Sequence, residues 1–394
     1  LALQLAASAA ADRPDLDLEA AAVPWVIREL TRLYLADVPD PLTRRAVEAA
    51  AVVRRATIPL LRAMLPDAAP QDAFDRLRAL PFVESARDGL HVHDAVQQAV
   101  AEGLRAADPI AYQALRRAAW RQLRAEVRLA GTSDMWRYTA DLLYLVENYW
   151  VREAFFPSGA QHVAVEAARP EDGPAIQAII RRHDGPQAAA LLDLWWEGAP
   201  QVFSTMRGPD GTVVGFYCLF DPQSVDTALL RADPVAGRWL NHLRSDPVPK
   251  HQRVLFCRRL LSLDAGELPS AAQGAGWLDL KRTYMELRPH LRRCYVTLRE
   301  PAPHGPVMQK LGFRLLPEAN VTLDGANYHS TVVDFGPPSI DGWLAGLIGA
   351  ELGGAEDGLL DVDARELVID GRRAALTRLE FEVMRYLAER GGRR

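Results

Sequence analysis

The first 156 residues of the chain carry the hydrophobic pattern of packed helices. Strong helix formers, chiefly Ala, Leu and Arg, dominate residues 16–156. Apolar side chains recur there every three or four residues, the spacing that places them along one face of a helix. The clearest stripe consists of Tyr112, Leu115, Ala119, Leu123 and Val127. Prolines such as Pro66, Pro81 and Pro109 are expected to mark helix ends.

A short hairpin is predicted inside this helical region. Residues 82–84 and 90–92 are two extended segments, and they flank a turn at residues 86–89. The Asp-Gly pair in that turn is a strong hairpin signal. Helices followed by a small hairpin are typical of a winged helix, which we expect here.

Residues 162–335 change character, because strand-like runs alternate with helical ones. The predicted strands are 163–165, 201–206, 212–220, 252–263, 293–298, 313–316 and 331–335. The predicted helices are 174–182, 276–287 and 307–311. A hairpin connection at residues 208–211 joins two of the strands. The pattern favours an α+β or α/β layer built on a central mixed sheet.

The last part of the chain predicts a linker and a small second sheet. Residues 336–358 are rich in glycine, with one or two helical turns expected at 343–347. Two strands are predicted at 359–362 and 367–369, followed by a helix over 377–388. We therefore expect a multidomain protein with an all-α winged-helix region, an α+β domain, and a truncated winged-helix start. The expected boundaries are 1–108, 109–160 (a helical connector), 161–335, 336–358 and 359–394.

Composition narrows the class of protein. The chain has 394 residues, of which 49% are hydrophobic and 25% charged, and this excludes wholesale disorder and a fibrous protein. No apolar run approaches the ~18 residues of a membrane span, so no membrane partner is expected. The net charge of -5 disfavours a dedicated nucleic-acid binder but leaves a small basic domain open.

Cysteine usage predicts a reduced, cytoplasmic protein without a metal centre. Cys218, Cys257 and Cys294 are odd in number, far apart, and lack metal-ligand spacing. The chain starts at Leu1 without a basic signal-peptide region, and it stops at Arg394 directly after a helical pattern. Both ends lead us to expect a piece of a longer protein.

Two segments of the middle region carry a family resemblance. The run Ala271–Gly276 follows a predicted strand, and Gln309–Phe313 reads Gln-Lys-Leu-Gly-Phe. Together with the order of elements, they resemble the GNAT N-acetyltransferases over most of 162–335. The resemblance implies acetyl-CoA or CoA as ligand, with its pyrophosphate held by the glycine-rich turn and helix N-terminus. The implied cofactor-binding residues are Gln273, Gly274, Ala275 and Gly276.

The sequence also departs from that family. Ala271 stands where the motif has a leading Arg or Gln, and Met308 stands where many members have a Tyr as general acid. Residues 301–306 are proline-rich where the family has a helix. No catalytic residue can be assigned, since the spacing does not select among the substitutes Tyr284, Tyr295 and His304. Without the order of elements, a plain loop ahead of a helix would be the better explanation of the glycines.

A second resemblance concerns Val92-His93-Asp94. With the preceding helices and hairpin, this segment resembles the winged helix of STAND nucleotide-switch ATPases, and residues 1–6 resemble the end of the ATPase region. The resemblance implies that His93 senses the β-phosphate of ADP. No Gly-x-x-x-x-Gly-Lys-Ser/Thr motif is present, so ADP or ATP would need a missing upstream domain. Alternatively, Asp94 is a helix N-cap and His93 is merely polar; metal binding with His91 lacks a third ligand.

A third resemblance lies in residues 367–387. Leu376-Thr377-Arg378-Leu379-Glu380-Phe381 after a small sheet resembles the start of the winged-helix effector domain of bacterial response regulators. Thr377 and Glu380 form a capping-box pattern. The family's recognition helix would come later, so DNA binding is expected only through a complete C-terminal domain.

These patterns together predict a fragment of a bacterial, signal-responsive transcriptional regulator with a GNAT-like, degenerate, acyl-CoA-binding sensor domain. One alternative is an active acetyl-CoA-dependent N-acetyltransferase of unknown acceptor, and another is an interaction scaffold. Whether the chain is an enzyme, and whether it forms oligomers, stays open.

Overall fold

The structure, a computed structural model, describes residues 40–157, 162–337, 339–352, 360–361, 366–369 and 372–390. The chain divides into two compact units between Leu344 and Ala345. Residues 1–6, which resemble the end of an ATPase region, lie outside the described residues. Residues 338 and 353–358 of the expected linker lie outside them as well. All three cysteines are free and buried. No helix in the described ranges combines the length and the apolar character needed to cross a membrane.

The first unit begins with helices and the predicted hairpin. The elements are α1 (Pro41–Val52), α2 (Ile58–Met64), α3 (Pro70–Arg78), β1 (Val83–Ala86), β2 (Gly89–Val92) and α4 (Asp94–Ala107). The first three helices each have a proline in their first two positions, where the missing N–H leaves no bond unmade. Asp40 and Thr57 cap α1 and α2 with their side chains. The hairpin is confirmed, with antiparallel pairing from Val83↔Val92 to Ala86↔Gly89.

Helix α4 begins one residue away from the predicted position. His93 is the N-cap residue, its side chain makes no capping bond, and Asp94 is the first helical residue. The prediction that Asp94 is the N-cap was therefore wrong by one position. Its carboxylate still lies in the first turn, where it faces the positive end of the helix dipole.

A helical segment then leads to the sheet. It consists of α5 (Pro109–Leu129), α6 (Met135–Tyr144) and α7 (Tyr149–Phe155). The predicted stripe on α5 is buried, apart from a half-buried Leu115, and it also includes Trp120 and Arg116. Arg116 is tolerated there because Nη1 lies 3.0 Å from Glu147 Oε2.

The central sheet is mixed, as predicted. Its strands are β3 (Ala164–Ala167), β4 (Phe203–Arg207), β5 (Val213–Phe220), β6 (Arg253–Ser262), β7 (Leu291–Leu298), β8 (Phe313–Leu315), β9 (Val321–Leu323) and β10 (Ala326–Asp334). The order is β3-β4-β5-β6-β7-β10-β8, and β9 pairs with β10. The pair β6–β7 is parallel, whereas the other described pairs are antiparallel.

Helices cover both faces of this sheet. They are α8 (Gly173–His183), α9 (Pro186–Gly198), α10 (Thr227–Ala232), α11 (Pro234–Ser245), α12 (Ala271–Glu286) and α13 (Pro301–Lys310). One face forms an aromatic core with α8, α9 and α11, which includes Trp195, Trp239, Phe216 and Tyr295. Helices α12 and α13 belong to the opposite face.

Helix α13 corrects an expectation drawn from its prolines. Residues 301–306 are helical although the sequence reads as helix-poor. Pro301 and Pro303 lie in the first turn, where backbone N–H groups have no intrahelical partner anyway. Pro306 lies inside the helix and removes one backbone hydrogen bond.

The second unit contains a small antiparallel sheet and a helix. A helix, α14 (Ser339–Glu351), begins in the first unit and ends in the second. It occupies most of the expected linker and is longer than the one or two turns predicted at 343–347. The sheet has the order β11 (Leu360–Asp361), β12 (Glu366–Ile369) and β13 (Arg372–Ala375), and α15 (Arg378–Arg390) follows. The capping box is confirmed: the Thr377 N–H donates to Glu380 Oε2 at 2.8 Å, and the Glu380 N–H donates to Thr377 Oγ1 at 3.4 Å.

Candidate functional site

A cavity of about 240 Å³ opens where the two parallel strands separate. The pairing of β6 with β7 runs from Arg253 to Cys257, where it ends opposite Val296. Beyond Cys257, β6 continues as a partner of β5 as far as Ser262. No backbone pairing joins the described carboxyl ends of the two strands beyond Cys257 and Val296, and side chains line the space between them. Ligands bind preferentially in such a crevice.

Three helices and three strands, β7, β8 and β10, contribute to the cavity walls. Helices α12 and α13 stand on either side, while Val296 of β7 and Thr331 of β10 contribute from the sheet. Helix α7, from the segment before the sheet, supplies the outer wall. Its Tyr149 and Trp150 line the cavity and remain 64% and 49% exposed, so they mark its mouth.

Lys281 is a buried amine on the α12 wall. Lys281 is 2% exposed, and its Nζ atom has no hydrogen-bond partner within the described ranges. Four aromatic rings lie 4.6 to 5.8 Å from Nζ, namely those of Tyr284, Trp277, Phe155 and Phe313. Burial lowers the pKa of Lys281 to about 8, because the charged form has lost its water.

The groups next to Lys281 are neutral. Burial raises the pKa of Cys294 to about 11 and raises the pKa of Cys257 well above its usual value. Burial likewise raises the pKa of the Tyr284 hydroxyl well above its usual value. These groups therefore give the ammonium no negative charge near neutral pH.

His304 is a second polar group on the cavity wall. It is 7% exposed, and its Nε2 atom has no hydrogen-bond partner among the described residues. Burial lowers the pKa of His304, so the imidazole is neutral near pH 7. A neutral imidazole can accept a proton or hold a polar ligand atom.

Glu267 also borders the cavity, but its carboxylate is committed to the fold. It forms a buried ion pair with Arg259, and it accepts from the Arg299 N–H at 2.8 Å and the Glu300 N–H at 3.1 Å. Arg259 in turn binds Asp184, with two hydrogen bonds of 2.6 and 2.8 Å. This network holds the start of α13 against the end of β6, and so positions the cavity walls.

The predicted pyrophosphate motif lies inside helix α12 rather than in a loop. The Gln273 N–H donates to Ser270 Oγ at 3.1 Å, and the Gly274 N–H donates to the Ser270 carbonyl at 2.9 Å. The Gln273 side chain donates to the carbonyls of Leu260 and Gly266. Two of the N–H groups expected to face a phosphate are thus used within the protein.

The two glycines of the motif serve close packing. A β-carbon at Gly274 would lie 2.5 Å from Pro157 Cδ, and one at Gly276 would lie 2.9 Å from Met206 Sδ. Ala275 is buried as well. Of the four implied residues, Gln273 lines the cavity. The space left by the missing side chains of the two glycines is filled by Pro157 and Met206.

The three candidate acids or bases are separated by the structure. His304 and the site's Met308 line the cavity on α13. Tyr284 lies below it, next to Lys281. Tyr295 belongs to the core on the opposite sheet face, where its hydroxyl lies 2.8 Å from His242 Nδ1. Of the three, His304 is placed to meet a ligand.

His93 does not take part in this cavity. It is an exposed residue at the start of α4 and its N–H donates to the Phe82 carbonyl at 2.9 Å. Within the described ranges, no group of three His, Cys, Asp or Glu side chains is arranged to hold a metal ion.

Sequence reasoning missed Lys281. Trp277, Lys281 and Tyr284 are spaced by four and three residues, which places them on one helix face, so this part of the signal was available. Phe155 and Phe313 come from distant parts of the chain and could not be associated with Lys281 without the fold.

No protein-family model matches the chain, and no curated protein matches it in sequence. Similar solved structures include the C-terminal condensation domain of Ebony in complex with beta-alanyl-dopamine, at TM-score 0.31 and 12% identity, covering 44% of this chain and 98% of that one. The crystal structure of SsHAT is similar at TM-score 0.27 and 15% identity, also covering 44% of this chain and 98% of that one. At such TM-scores the likeness carries no argument, so the function of this chain has to be inferred from its own residues.

Proposed function

We propose that the mixed-sheet part of the first unit is a ligand-binding sensor domain of GNAT-like ancestry. It binds an acyl-CoA or CoA-type molecule without transferring the acyl group. The cavity at the separated ends of β6 and β7 carries this proposal, because it offers an apolar chamber between two helices with an aromatic mouth at Tyr149 and Trp150.

The acyl end of such a ligand fits the cavity better than its pyrophosphate fits the predicted motif. Val296, Leu298 and Val307 give the chamber an apolar lining. At the cradle expected at residues 273–276, the Gln273 and Gly274 N–H groups bond to Ser270, and both glycines pack against protein atoms. The first turn of α12 leaves the Ala271 and Ala272 N–H groups as donors for a phosphate.

Met308 disfavours acetyl transfer. It lines the cavity where the resembling family often has a tyrosine, and a thioether cannot protonate a leaving thiolate. This supports binding without transfer of the acyl group.

We further propose that this domain belongs to a transcriptional regulator. Three helices, a hairpin and a following helix support a winged helix over 40–108, with exposed His93 available to an upstream nucleotide domain. The three-stranded sheet and capped helix of residues 360–390 support the start of a DNA-binding winged helix. DNA contact would need the remainder of that domain.

Titration calorimetry of acetyl-CoA and CoA into the whole chain tests the binding role. Ala271→Glu places a negative charge at the first turn of α12 without filling a packed site, and we expect it to weaken binding about tenfold or more. Gly103→Glu adds the same charge in open space on α4 and should leave binding unchanged. No heat with millimolar ligand would overturn the proposal.

An active N-acetyltransferase is the second candidate function, and His304 is the observation that favours it. A neutral, buried imidazole with an unpartnered Nε2 atom could take a proton from an amine acceptor. Release of free CoA thiol with a panel of amines, lost in His304→Ala, would favour the enzyme over the sensor. Binding without thiol release favours the sensor.

A further inference from the structure

Lys281 differs from the other buried cations of the described chain in having no counter-ion. The buried arginines are Arg55, Arg116, Arg258, Arg259 and Arg293. Each has a carboxylate oxygen within 4.0 Å of its guanidinium. Lys281 is as deeply buried as they are, yet among the described residues Nζ has neither a hydrogen-bond partner nor an ion pair. Among the described residues, each buried arginine is thus paired with a carboxylate, whereas the buried lysine is not.

The carboxylates on the elements packed around Lys281 are bound to other groups or exposed. On helix α6, the buried Asp141 is paired with Arg54 and Arg55. On β6 and β7 the facing groups are the protonated thiols of Cys257 and Cys294. Across the cavity, Glu267 is bound to Arg259 and to two backbone N–H groups. The acid of α7, Glu153, is exposed at the mouth.

Two further titratable neighbours, His304 and Tyr284, carry no charge near pH 7. His304 of α13 is uncharged near pH 7 because burial lowers its pKa, and Tyr284 is held protonated. The aromatic rings around Nζ attract a cation, but this attraction is smaller than the cost of burying an ammonium.

The missing partner can enter from the cavity. Lys281, His304, Val296, Val307 and Phe313 line the same space, so a single molecule can lie against the lysine, the imidazole and apolar side chains. Because Nζ itself is buried among the aromatic rings, the flexible lysine stem has to turn toward the cavity for the amine to meet the ligand. At ~30 Å³ for each water-sized group, about 240 Å³ holds roughly eight heavy atoms. A charged head with a short hydrocarbon body has this size.

We propose that this cavity is a binding site for a small monocarboxylate with an apolar body, whose carboxylate pairs with Lys281 Nζ. The apolar body lies against Val296, Val307 and Phe313, and His304 Nε2 offers a second polar contact. Hexanoate and benzoate represent the class. The proposal does not rest on CoA binding, since a free acid requires neither the first turn of α12 nor a phosphate site.

Calorimetry on the whole chain tests the site with three matched probes. Hexanoate, hexanol and hexylamine share one hydrocarbon body, so differences among them report on the head group. We expect hexanoate to bind at least about tenfold more tightly than hexanol, because only the carboxylate makes a charge-assisted contact with the amine, and hexylamine to bind most weakly. Equal binding of hexanoate and hexanol would overturn the proposal.

Lys281→Met provides the variant test, because methionine keeps much of the length and the apolar stem. The variant should lose the preference for hexanoate over hexanol, whereas Lys250→Met, at an exposed lysine, should retain it. Retained hexanoate preference in Lys281→Met would also overturn the proposal. If that variant does not fold, the wild-type chain suffices: hexanoate affinity should fall as pH rises past about 8. An affinity independent of pH between 7 and 10 would contradict the site.

This test separates the two proposals. Ala271→Glu is expected to weaken CoA-type ligands and leave hexanoate unaffected. Lys281→Met is expected to remove the hexanoate preference, whatever the chain does with CoA.

Discussion

Pro157 packs against Gly274 so closely that a β-carbon on residue 274 would lie 2.5 Å from Pro157 Cδ. The proline lies two residues after the end of helix α7, and the glycine lies in the second turn of α12. The ring of a proline cannot swing aside as a long side chain would, so the contact fixes how α7 lies on α12. Glycine at this position is explained by packing, and it requires no phosphate.

The contact predicts the effect of adding one methyl group. Gly274→Ala should lower the free energy of unfolding by about 1–3 kcal/mol, because the closely packed neighbours must move. Urea denaturation at equilibrium measures the change. Gly305→Ala is the matched control in helix α13, where a β-carbon meets open space; the helix preference of alanine should make it neutral or stabilising by up to ~1 kcal/mol. Equal effects of the two substitutions would contradict the packing argument.

A second prediction concerns the buried ion pair that positions the cavity walls. Arg259→Met leaves the Asp184 and Glu267 carboxylates without their shared cation and should cost about 3–5 kcal/mol of unfolding free energy. Arg78→Met removes an exposed arginine whose Nη2 atom lies 2.8 Å from Asp75. That control should cost no more than ~1 kcal/mol.

The same pair has a defined acid dependence. Burial alone would raise the pKa of Asp184, but hydrogen bonds and charge from Arg259 outweigh it, so the pKa is lowered from 3.8. A lowered carboxyl pKa stabilises the fold above the unfolded value, and this stability is lost as pH falls through the folded value. The stability gap between wild type and Arg259→Met should therefore shrink below about pH 4. A gap that widens in acid would count against this assignment.

The buried Lys281 predicts a change of folding stability at alkaline pH. Its pKa falls from 10.5 to about 8 on folding, so between these values the unfolded chain binds more protons than the native one. Stability then rises with pH in this window. The shift corresponds to about 3 kcal/mol. Lys281→Met should be more stable than wild type at pH 7 without ligand, and its advantage should diminish toward pH 10. Urea midpoints of both proteins at several pH values measure this, and a constant difference would be inconsistent with a desolvated amine.

The capping box gives a local prediction in the second unit. Thr377→Ala removes the acceptor for the Glu380 N–H and should destabilise the start of α15 by about 1 kcal/mol. Amide hydrogen exchange over residues 379–382 should become faster. Thr377→Asp keeps an accepting oxygen at the cap and should leave exchange near the wild-type rate.

Local signals predicted much of the fold. Alternating and helical periodicity located seven of the eight strands of the mixed sheet, the hairpin before Asp94 and the capped helix after Thr377. The short strand β9 and helices α9, α10 and α11 were missed. The buried tryptophans of α9 and α11, Trp195 and Trp239, are explained by contacts with the sheet core rather than by local pattern. The small sheet also has a third strand at Arg372–Ala375, between the predicted strand at 367–369 and the predicted helix over 377–388, where no strand was expected.

The site was predicted less completely, for a physical reason. A Gly-x-Gly run reports that a backbone must be approached closely, but it does not say by what. At Gly274 the approaching group is Pro157, more than a hundred residues earlier in the chain. The environment of Lys281 is likewise assembled from α7, α12 and the strand after α13, and such long-range proximity leaves no periodic trace in one sequence.

The outer wall of the cavity has a practical meaning for dissecting the chain. Because α7 comes before β3 in sequence, a piece that starts at residue 162 would contain every strand of the sheet and still lack one side of the chamber. It would also uncover the surface that Phe155 and Pro157 cover on α12. The smallest excised fragment that keeps a closed pocket must begin ahead of Tyr149, within a stretch that sequence reasoning assigned to a connector.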